Sequence, residues 1–317
     1  MIYTLLGGTG TLGHAITRYL LERTDDSVRI LARGEHRLAQ MQKEFLGYGN
    51  RLSFFIGDVR DRDRIRRSLT GSDRVILMAA LKHVNSCEYN VLEAVETNIT
   101  GATNVIKACA DEGVPQAVLV SSDKAVEPIT NYGATKMVAE RIFSYGNSYT
   151  PNSTKFYVVR YGNVLASQGS VVETWRSQAH GGRITLTNPD ITRFWWLARD
   201  AALFVLKSFD HARRGDIIVP LMNACSLGEL ANMVAPGASI SSIPCYSIEK
   251  IHETMVSEAE AEQATYIDDL LALRIPTILP QPTDEPMWGG DRYASNTACT
   301  PYSLQEIKGF LTELAGD

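Results

Sequence analysis

The chain has 317 residues, of which 44% are hydrophobic and 21% are charged, and its formal net charge is -5. This composition is that of an ordinary globular protein, and the length allows one large or two modest domains. The negative charge argues against a nucleic-acid partner, and no apolar run is long enough to cross a bilayer. We therefore expect neither a nucleic acid nor a membrane as a partner.

Cysteine usage and the first residues predict the compartment. The 5 cysteines are scattered, odd in number and without the spacing of metal ligands, so we expect reduced thiols and no metal site. An apolar segment begins directly after Met1, which leaves no room for a secretory leader before it. These features predict a cytoplasmic protein.

A strand, a glycine-rich turn and an amphipathic helix open the chain. Residues Ile2–Leu6 are apolar, and the turn 7–13 follows them. Gly7 suits a tight turn, Gly10 lets the backbone approach a pyrophosphate, and Gly13 lets the helix and the strand pack closely. The helix N-terminus would then face the phosphates of a dinucleotide. The predicted cofactor contacts in this turn are Gly7, Thr9, Gly10, Thr11, Leu12 and Gly13.

The end of the second strand, Ser27–Ala32, indicates which dinucleotide binds. An NAD site usually has a carboxylate there for the ribose hydroxyls, whereas this chain has Arg33 and Arg37. A guanidinium group binds phosphate through paired hydrogen bonds, so the two arginines predict NADP, held by its 2′-phosphate. The alternative is that both side chains are merely solvated.

The next two strands complete the cofactor half of the fold. A third strand is predicted at 51–58, and Asp58 and Val59 at its end would lie beside the adenine. The fourth strand ends in Ala79 and Ala80, whose small side chains let the cofactor lie close. Strands that alternate with helices in this way predict an α/β fold of the Rossmann type, a doubly wound parallel sheet with right-handed crossovers.

Polar residues follow the fifth predicted strand, the apolar run 116–120. Ser122, Asp123 and Lys124 come just after its carboxyl end, where ligands bind in open α/β sheets. An Asp-Lys pair is most often a surface ion pair worth roughly 0–1 kcal/mol, but this position favours a functional role. Asp123 could protonate a leaving hydroxyl, and Lys124, with a lowered pKa, could remove a carbon-bound proton.

A tyrosine and a lysine lie four residues apart in the following helix. At this spacing both side chains share one face, so we expect the Lys136 ammonium to hold the Tyr132 phenol partly ionised. A phenolate can take the proton of a sugar hydroxyl while a nicotinamide takes the hydride, and Ser122 would bridge that hydroxyl and Tyr132. Oxidation and elimination within one segment predict a dehydratase.

These residues resemble the extended short-chain dehydrogenase/reductase family and, within it, the soluble nucleotide-sugar 4,6-dehydratases that act on UDP-N-acetylglucosamine. The resemblance implies NADP as cofactor, a nucleotide-diphosphate sugar as substrate and a homo-oligomeric assembly. The Asp-Lys pair followed by Ala-Val separates this group from epimerases, which need no such acid and base. The segments that carry the resemblance are 7–13, 57–61, 79–84, 88–90, 93–98, 122–126, 132–136, 160–164, 169–171, 192–195 and 249–253.

The resemblance also implies roles for individual residues. Lys82 and Asn98 would contact the cofactor, with Asn98 positioning Lys136 through water, and Arg193 would bind the diphosphate. Tyr132, where the longer membrane-anchored relatives have Met, implies inversion of the configuration at carbon 5 of the sugar. The implied substrate contacts are Lys82, His83, Asn163, Ser170, Val171, Arg193, Glu249 and His252.

Departures from the family pattern cluster at the nucleotide end of the site. Gln168 and Tyr246 stand where relatives have arginines that would lie near the diphosphate. Glu173 replaces a usual proline, and Asn188 replaces an aspartate. The catalytic end is unchanged, so the resemblance implies the reaction more directly than it implies the nucleotide.

Two domains are predicted. Residues 1–165 would form the cofactor domain, and a helix at 201–209 and a strand at Asp216–Pro220 would return to its sheet. Residues 166–199 and 221–317 would form a smaller, discontinuous substrate domain. Two alternatives stay open, a nucleotide-sugar 4-epimerase that leaves the Asp-Lys pair idle and a non-catalytic NADP-binding sensor.

Overall fold

The computed structural model of the chain describes residues 1–149, 154–165, 167, 169–244, 249–270, 272–277 and 285–297. The strands are β1 (Ile2–Leu6), β2 (Ser27–Ala32), β3 (Leu52–Ile56), β4 (Arg74–Leu77), β5 (Gln116–Ser122), β6 (Lys155–Tyr161), β7 (Asn163–Val164), β8 (Arg183–Leu186), β9 (Thr192–Trp196), β10 (Asp216–Pro220), β11 (Asn223–Ser226), β12 (Ser239–Ser242), β13 (Thr254–Val256), β14 (Thr265–Ile267), β15 (Ala272–Pro276) and β16 (Tyr293–Ala294).

Helices connect most of these strands. They are α1 (Thr11–Arg23), α2 (Glu35–Glu44), α3 (Arg62–Leu69), α4 (Val84–Tyr89), α5 (Val91–Ala94), α6 (Gly101–Glu112), α7 (Asn131–Tyr149), α8 (Val171–Ala179), α9 (Ala198–His211), α10 (Leu227–Val234) and α11 (Glu258–Ala261). A π-helical turn at Val95–Thr100 joins α5 to α6, and short 3-10 turns lie at Leu46–Arg51, Asp123–Ala125 and Asp268–Leu270. Among the described residues, no helix is both long and apolar enough to cross a bilayer.

A nine-stranded sheet in the order β14-β15-β10-β6-β5-β4-β1-β2-β3 organises the described chain. β1 pairs in parallel with β2 on one side and with β4 on the other, so Leu5 lies between Ile30 and Ile76. All three side chains are fully buried, because helices cover both faces of the sheet. The strand order reverses beside β1, which confirms the predicted Rossmann-type sheet and puts the ligand crevice at this point.

Smaller sheets pack beside the main one. β11-β9-β7 form a three-stranded sheet and β12-β8 a two-stranded one. Trp175 of α8, Ile184 of β8 and Leu230 of α10 belong to a second hydrophobic core and are fully buried. This second core supports the segments that face the main sheet across the crevice.

The strands β14 and β15 differ from the predicted domain organisation. β10 returns to the main sheet as predicted, in parallel with β6, but β15 then pairs antiparallel with β10, and β14 with β15. The prediction assigns these last two strands to the smaller domain. Their apolar residues, such as Leu273 and Ile275, are buried in the core of the main sheet instead. The remaining domain boundaries stay a prediction.

A buried arginine fixes α7 against the sheet. Arg160 of β6 bonds Glu140 of α7 through Nε and Nη2 at 3.0 and 2.7 Å, and Glu260 of α11 through Nη1 and Nη2 at 3.1 and 3.0 Å. All four carboxylate oxygens of the two glutamates are therefore paired. Removing one partner of such a buried pair typically costs about 3–5 kcal/mol, so this cluster holds the helix that carries Tyr132 and Lys136.

Candidate active site

A cleft of about 1280 Å³ opens at the carboxyl ends of the central strands. Its walls are the turn after β1, the loops after β4 and β5, the first turn of α8 and the segment 249–253. The cavity is larger than the range usual for one drug-sized ligand, so it has room for a dinucleotide and a second ligand.

The glycine turn has the geometry that a bound dinucleotide needs. A Cβ on Gly7, which has φ of +88°, would lie 2.6 Å from the backbone nitrogen of Ala79, and one on Gly13 would lie 2.1 Å from the carbonyl oxygen of Gly8. A Cβ on Gly10 would meet nothing closer than 3.9 Å, so its absence leaves open backbone at the start of α1. The predicted cofactor contacts that line the cleft here are Gly7, Thr9, Gly10, Thr11, Leu12, Gly13, Val59, Ala79 and Ala80.

Buried hydroxyls extend this fit along the cleft. Thr97 and Ser121 line the cavity, and each has a buried side-chain oxygen without a hydrogen-bond partner in the described part of the chain. A buried polar group without a partner costs free energy, so both oxygens are suited to bonds with a polar ligand. Together with the glycine turn, they fit a nicotinamide dinucleotide.

Three cations line the cofactor end of the cleft. Arg33, Arg37 and Lys82 all contribute to its wall. Burial lowers the pKa of Lys82; the Glu173 carboxylate opposes this shift, and the charge of Arg37 adds to it. Arg33 is half-exposed and has its Nη1 3.7 Å from Oδ2 of Asp58. This group of cations suits an anionic ligand such as a phosphate.

Asp58 pairs with arginines at the edge of the cleft. Its side chain is absent from the residues that line the cleft. Oδ2 accepts a bond of 2.9 Å from Arg60. Burial alone would raise the pKa of Asp58, but the bonds from Arg60 and the charge of Arg33 lower it. Asp58 therefore orients cations at the edge of the cleft.

The Asp-Lys pair lies directly after β5, in a 3-10 turn, as predicted. Asp123 is fully buried, and its Oδ1 accepts bonds from Ser122 Oγ at 2.8 Å and from Lys124 Nζ at 3.0 Å. The same Nζ lies 3.2 Å from Oε1 of Glu253 and 3.4 Å from Oδ1 of Asn163. Lys124 lines the cleft, whereas Asp123 lies behind it.

The expectation of a lowered pKa for Lys124 is wrong for this arrangement. Burial would lower the pKa, but the carboxylates of Asp123 and Glu253 outweigh it and raise the pKa above its ordinary value. Lys124 is thus an ammonium in the ligand-free cleft. It becomes a base only after a neighbour takes its proton.

The expected effect of Lys136 on Tyr132 is also wrong for the ligand-free cleft. Burial raises the pKa of Tyr132 to about 12, and the groups that oppose this shift are the charge of Lys124 and a hydrogen bond with Ser122. Lys136 Nζ instead donates to the carbonyl oxygen of Val120 at 2.6 Å. Burial lowers the pKa of Lys136 to about 8. Both predicted catalytic side chains nevertheless line the cleft.

Arg193 is in the cleft wall but is not a free cation. Its Nη2 donates to Oε1 of Glu249 at 2.8 Å, and its Nη1 donates to the carbonyl oxygens of Thr192 and Ile251 at 2.8 and 3.2 Å. Its Nε lies 3.9 Å from Oε1 of Glu253. The guanidinium is therefore neutralised beside the reacting end, and the predicted diphosphate contact would require Arg193 to exchange partners.

Two predicted site residues face away from the cleft. Asn98 is buried; its Oδ1 accepts from Leu81 N at 2.8 Å, and its Nδ2 donates to Thr135 Oγ1 at 3.0 Å. It therefore links the loop after β4 to Thr135, the residue that precedes Lys136 in α7. His252 has its Nδ1 2.8 Å from Thr192 Oγ1 and is absent from the lining.

The remaining predicted substrate contacts do line the cleft, and a carboxylate beside them was missed. Those that line it are Lys82, His83, Asn163, Ser170, Val171, Arg193 and Glu249, and Gln168 and Tyr246 lie outside the described residues. Glu253 also lines it and is 3% exposed. The sequence signal was its place at the end of the segment 249–253, but nothing local indicated that it meets Lys124.

Comparisons with known proteins agree with this geometry. The model of the polysaccharide biosynthesis protein family matches residues 4–274. An inverting UDP-N-acetylglucosamine 4,6-dehydratase of Campylobacter jejuni is 36% identical over 272 residues, which cover 85% of this chain and 81% of the relative. A UDP-glucose 4-epimerase of Rickettsia canadensis is 34% identical over 276 residues, 84% of this chain and 80% of the relative.

Solved structures share the fold. The X-ray structure of Pen from Bacillus thuringiensis has a TM-score of 0.91 and 31% identity, and the match covers 99% of this chain and 98% of that one. The dTDP-glucose 4,6-dehydratase DesIV of Streptomyces venezuelae has a TM-score of 0.69 at 21% identity, over 77% of this chain and 84% of that one, which shows the fold alone. The chain therefore belongs to the polysaccharide biosynthesis protein family and, within it, to the nucleotide-sugar dehydratases and epimerases.

Proposed function

We propose that the chain is an NADP-dependent nucleotide-sugar 4,6-dehydratase that acts on UDP-N-acetylglucosamine, inverts carbon 5 and yields a 4-keto-6-deoxy sugar nucleotide. The observation that carries the proposal is the contact of 3.0 Å between Lys124 Nζ and Asp123 Oδ1, next to Ser122 and Tyr132 at the cleft. A carboxyl and an amine in contact are what an elimination requires, and an epimerase has no use for them. The similarity to the Campylobacter jejuni dehydratase supports this choice.

NADP would lie along the glycine turn, with its 2′-phosphate at Arg33 and Arg37. When bound, NADP would supply the redox chemistry, in which a hydride leaves carbon 4 and later returns to carbon 6. Lys136, whose pKa of about 8 allows it to be charged at neutral pH, would hold the ribose beside Tyr132. We further expect a cytoplasmic homo-oligomer.

The redox half needs one proton acceptor at the carbon-4 hydroxyl. Tyr132 would take this proton, with Ser122 bridging the hydroxyl and the phenol. Because burial raises the pKa of Tyr132 to about 12, its phenol must first release its own proton to solvent, and the adjacent Lys124 charge favours the phenolate. The resulting ketone acidifies the proton on carbon 5.

The elimination half needs an amine and a carboxylic acid. One proton passed from Lys124 Nζ to Asp123 Oδ1, 3.0 Å away, converts the ion pair into these two groups. Water expelled by the sugar would favour the neutral pair, because burial penalises charges. Lys124 then removes the carbon-5 proton, and Asp123, which lies behind the wall of the ligand-free cleft and must turn into it, protonates the carbon-6 hydroxyl so that it leaves as water. These two transfers restore the ion pair. After the hydride has returned to carbon 6, solvent water supplies the proton that carbon 5 regains.

The second candidate is a 4-epimerase, which the similarity to the Rickettsia canadensis enzyme favours. It would use Tyr132 and Lys136, and Asp123 and Lys124 would have no catalytic role. Incubation with NADP and UDP-N-acetylglucosamine, followed by mass measurement, separates the two functions. A product lighter by one water supports the dehydratase, whereas an isomer of unchanged mass would contradict it in favour of the epimerase. No turnover would mean that the substrate is wrong.

A further inference from the structure

Two carboxylates hold Lys124 from different parts of the fold. Asp123 directly follows β5 and Glu253 directly precedes β13, so the two residues are far apart in sequence. Their Oδ1 and Oε1 atoms lie 3.0 and 3.2 Å from the same Nζ. The two carboxylates differ in one respect: Glu253 lines the cleft, whereas Asp123 lies behind it.

The second oxygen of Glu253 has no donor among the residues that the structure describes. Oε2 is buried and without a hydrogen-bond partner in the described part of the chain. The nearby cations are directed to other acceptors: Arg193 donates to Glu249 and to carbonyl groups, and Lys250 donates to the carbonyl oxygen of Val126 at 2.7 Å. A buried carboxylate oxygen without a donor is costly, so a ligand donor at this place would be strongly bound.

A buried carboxylate with only a structural role looks different in this molecule. Glu140 and Glu260 each use both oxygens on Arg160, at distances of 2.7 to 3.1 Å. Neither of them lines the cleft. Glu253 combines a half-satisfied carboxylate with a position in the cleft wall beside the reacting pair.

We propose that Glu253 contacts the sugar directly: Oε1 restrains Lys124, and Oε2 accepts a hydrogen bond from a hydroxyl or amide donor of the substrate. This inference rests on the proposed function for its ligand. In that function Tyr132 accepts the proton of the carbon-4 hydroxyl, and Asp123 protonates the carbon-6 hydroxyl. The donors left for Glu253 on N-acetylglucosamine are the carbon-3 hydroxyl and the carbon-2 amide.

The test compares the binding of UDP-N-acetylglucosamine with that of UDP alone, by calorimetry, in a Tyr132→Phe background that prevents turnover. The sugar should strengthen binding in this parent, and Glu253→Gln should weaken UDP-N-acetylglucosamine binding by about ten- to a hundredfold while UDP binding is unchanged. Gln keeps the size of the side chain but removes the charge that makes its hydrogen bonds strong.

The matched control is Glu260→Gln, the same exchange seven positions along the chain, outside the cleft. It should leave the preference for UDP-N-acetylglucosamine over UDP unchanged, because it contacts neither ligand, and it should lower the melting temperature, because it breaks the buried pair with Arg160. Glu253→Gln should lower the melting temperature less, because Lys124 retains its ion pair with Asp123. Unchanged binding of the sugar nucleotide by Glu253→Gln, or equal weakening of both ligands, would overturn the proposal.

A third result separates this inference from the proposed function. If UDP-N-acetylglucosamine binds the parent no better than UDP, the proposed substrate is wrong. The melting temperatures then decide the role of Glu253. Destabilisation as large as that of Glu260→Gln would make Glu253 structural and overturn the inference, whereas a stable variant supports a carboxylate kept for another ligand.

Discussion

The two ends of the cleft are built in different ways. At the cofactor end, backbone geometry shapes the site: Gly13 packs so close to the Gly8 carbonyl that a Cβ would clash, and Gly10 leaves the start of α1 open. At the sugar end, five charged side chains from three separate segments, Lys124 among them, form a network of ion pairs. A local sequence motif therefore defines the first end, whereas tertiary contacts define the second.

The two ends therefore differ in how ready each is for its ligand. The cofactor end presents cations and open backbone that are ready for an anionic ligand. The sugar end presents an ammonium at Lys124 and a neutral phenol at Tyr132, which are the wrong protonation states for catalysis. Only a ligand that displaces water and supplies hydrogen bonds would change them, so the sugar end depends on its substrate to become reactive.

The largest expected effect comes from removing the base. Lys124→Ala should lower the rate of dehydration by about 10²- to 10⁴-fold, because general base catalysis is lost. The variant should still produce a transient absorbance of reduced cofactor in stopped flow, since Tyr132 remains. Tyr132→Phe is the matched comparison and should abolish that signal as well. Near-normal dehydration by Lys124→Ala would mean that the base lies elsewhere.

The next effect tests the backbone-built end. Gly13→Ala should destabilise the protein by about 3 kcal/mol, since its Cβ would lie 2.1 Å from the Gly8 carbonyl oxygen and the backbone must move. The melting temperature should fall by on the order of 10 °C, and NADP binding should weaken. Gly47→Ala is the control, because its Cβ would meet nothing within 4 Å. Equal stability of the two variants would contradict the close packing.

A smaller effect follows from the buried ammonium of Lys136. Its folded pKa is about 8, below the ordinary value of 10.5. Below pH 8 the folded state carries the full cost of a buried charge. Between these two values the unfolded state binds more protons, so the free energy of unfolding rises with pH in this window.

Lys136→Met lacks this titration. The stability of the wild type relative to Lys136→Met should therefore increase by about 2 kcal/mol between roughly pH 8 and pH 10. Denaturant unfolding of the cofactor-free proteins at the two pH values measures it. A pH-independent difference would show that Lys136 has an ordinary pKa.

The smallest expected effect concerns the choice of cofactor. Arg33→Ala should weaken NADP binding by about 1 kcal/mol, roughly fivefold, because a half-exposed guanidinium is partly screened by solvent. NAD binding should stay the same. Arg18→Ala is the control, an equally exposed arginine on α1 that pairs with Glu44. If the wild type binds both dinucleotides equally, the NADP assignment is wrong.

Much of the fold and of the cofactor end was predictable, because the signals are local. The strands β1, β2 and β10 have the predicted bounds, and the glycine turn lies where its spacing indicated. The strands β14 and β15 were not assigned to this sheet because the segments of the smaller sheets come between β10 and them in the chain. The antiparallel pairing of β15 with β10, and of β14 with β15, depends on tertiary contacts and not on the local sequence.

The sugar end was predictable in its residues and not in its electrostatics. Asp123, Lys124 and Tyr132 are recognisable from one segment. The raised pKa of Lys124 depends on Glu253, which only the fold brings close. Likewise, Asn98 and His252 were assigned to ligands from their sequence positions, whereas their side chains form hydrogen bonds with Leu81 and Thr192 and neither residue lines the cleft.

The most direct test of the account is the isotopic mass of the product formed from UDP-N-acetylglucosamine and NADP in deuterium oxide. A carbon-5 proton removed by Lys124 and replaced from solvent predicts a product that has lost one water and gained solvent deuterium. Asp123→Asn, which keeps the shape but cannot donate the proton, should release no such product. A product of unchanged mass without deuterium would contradict the assignment of Asp123 and Lys124 to an elimination.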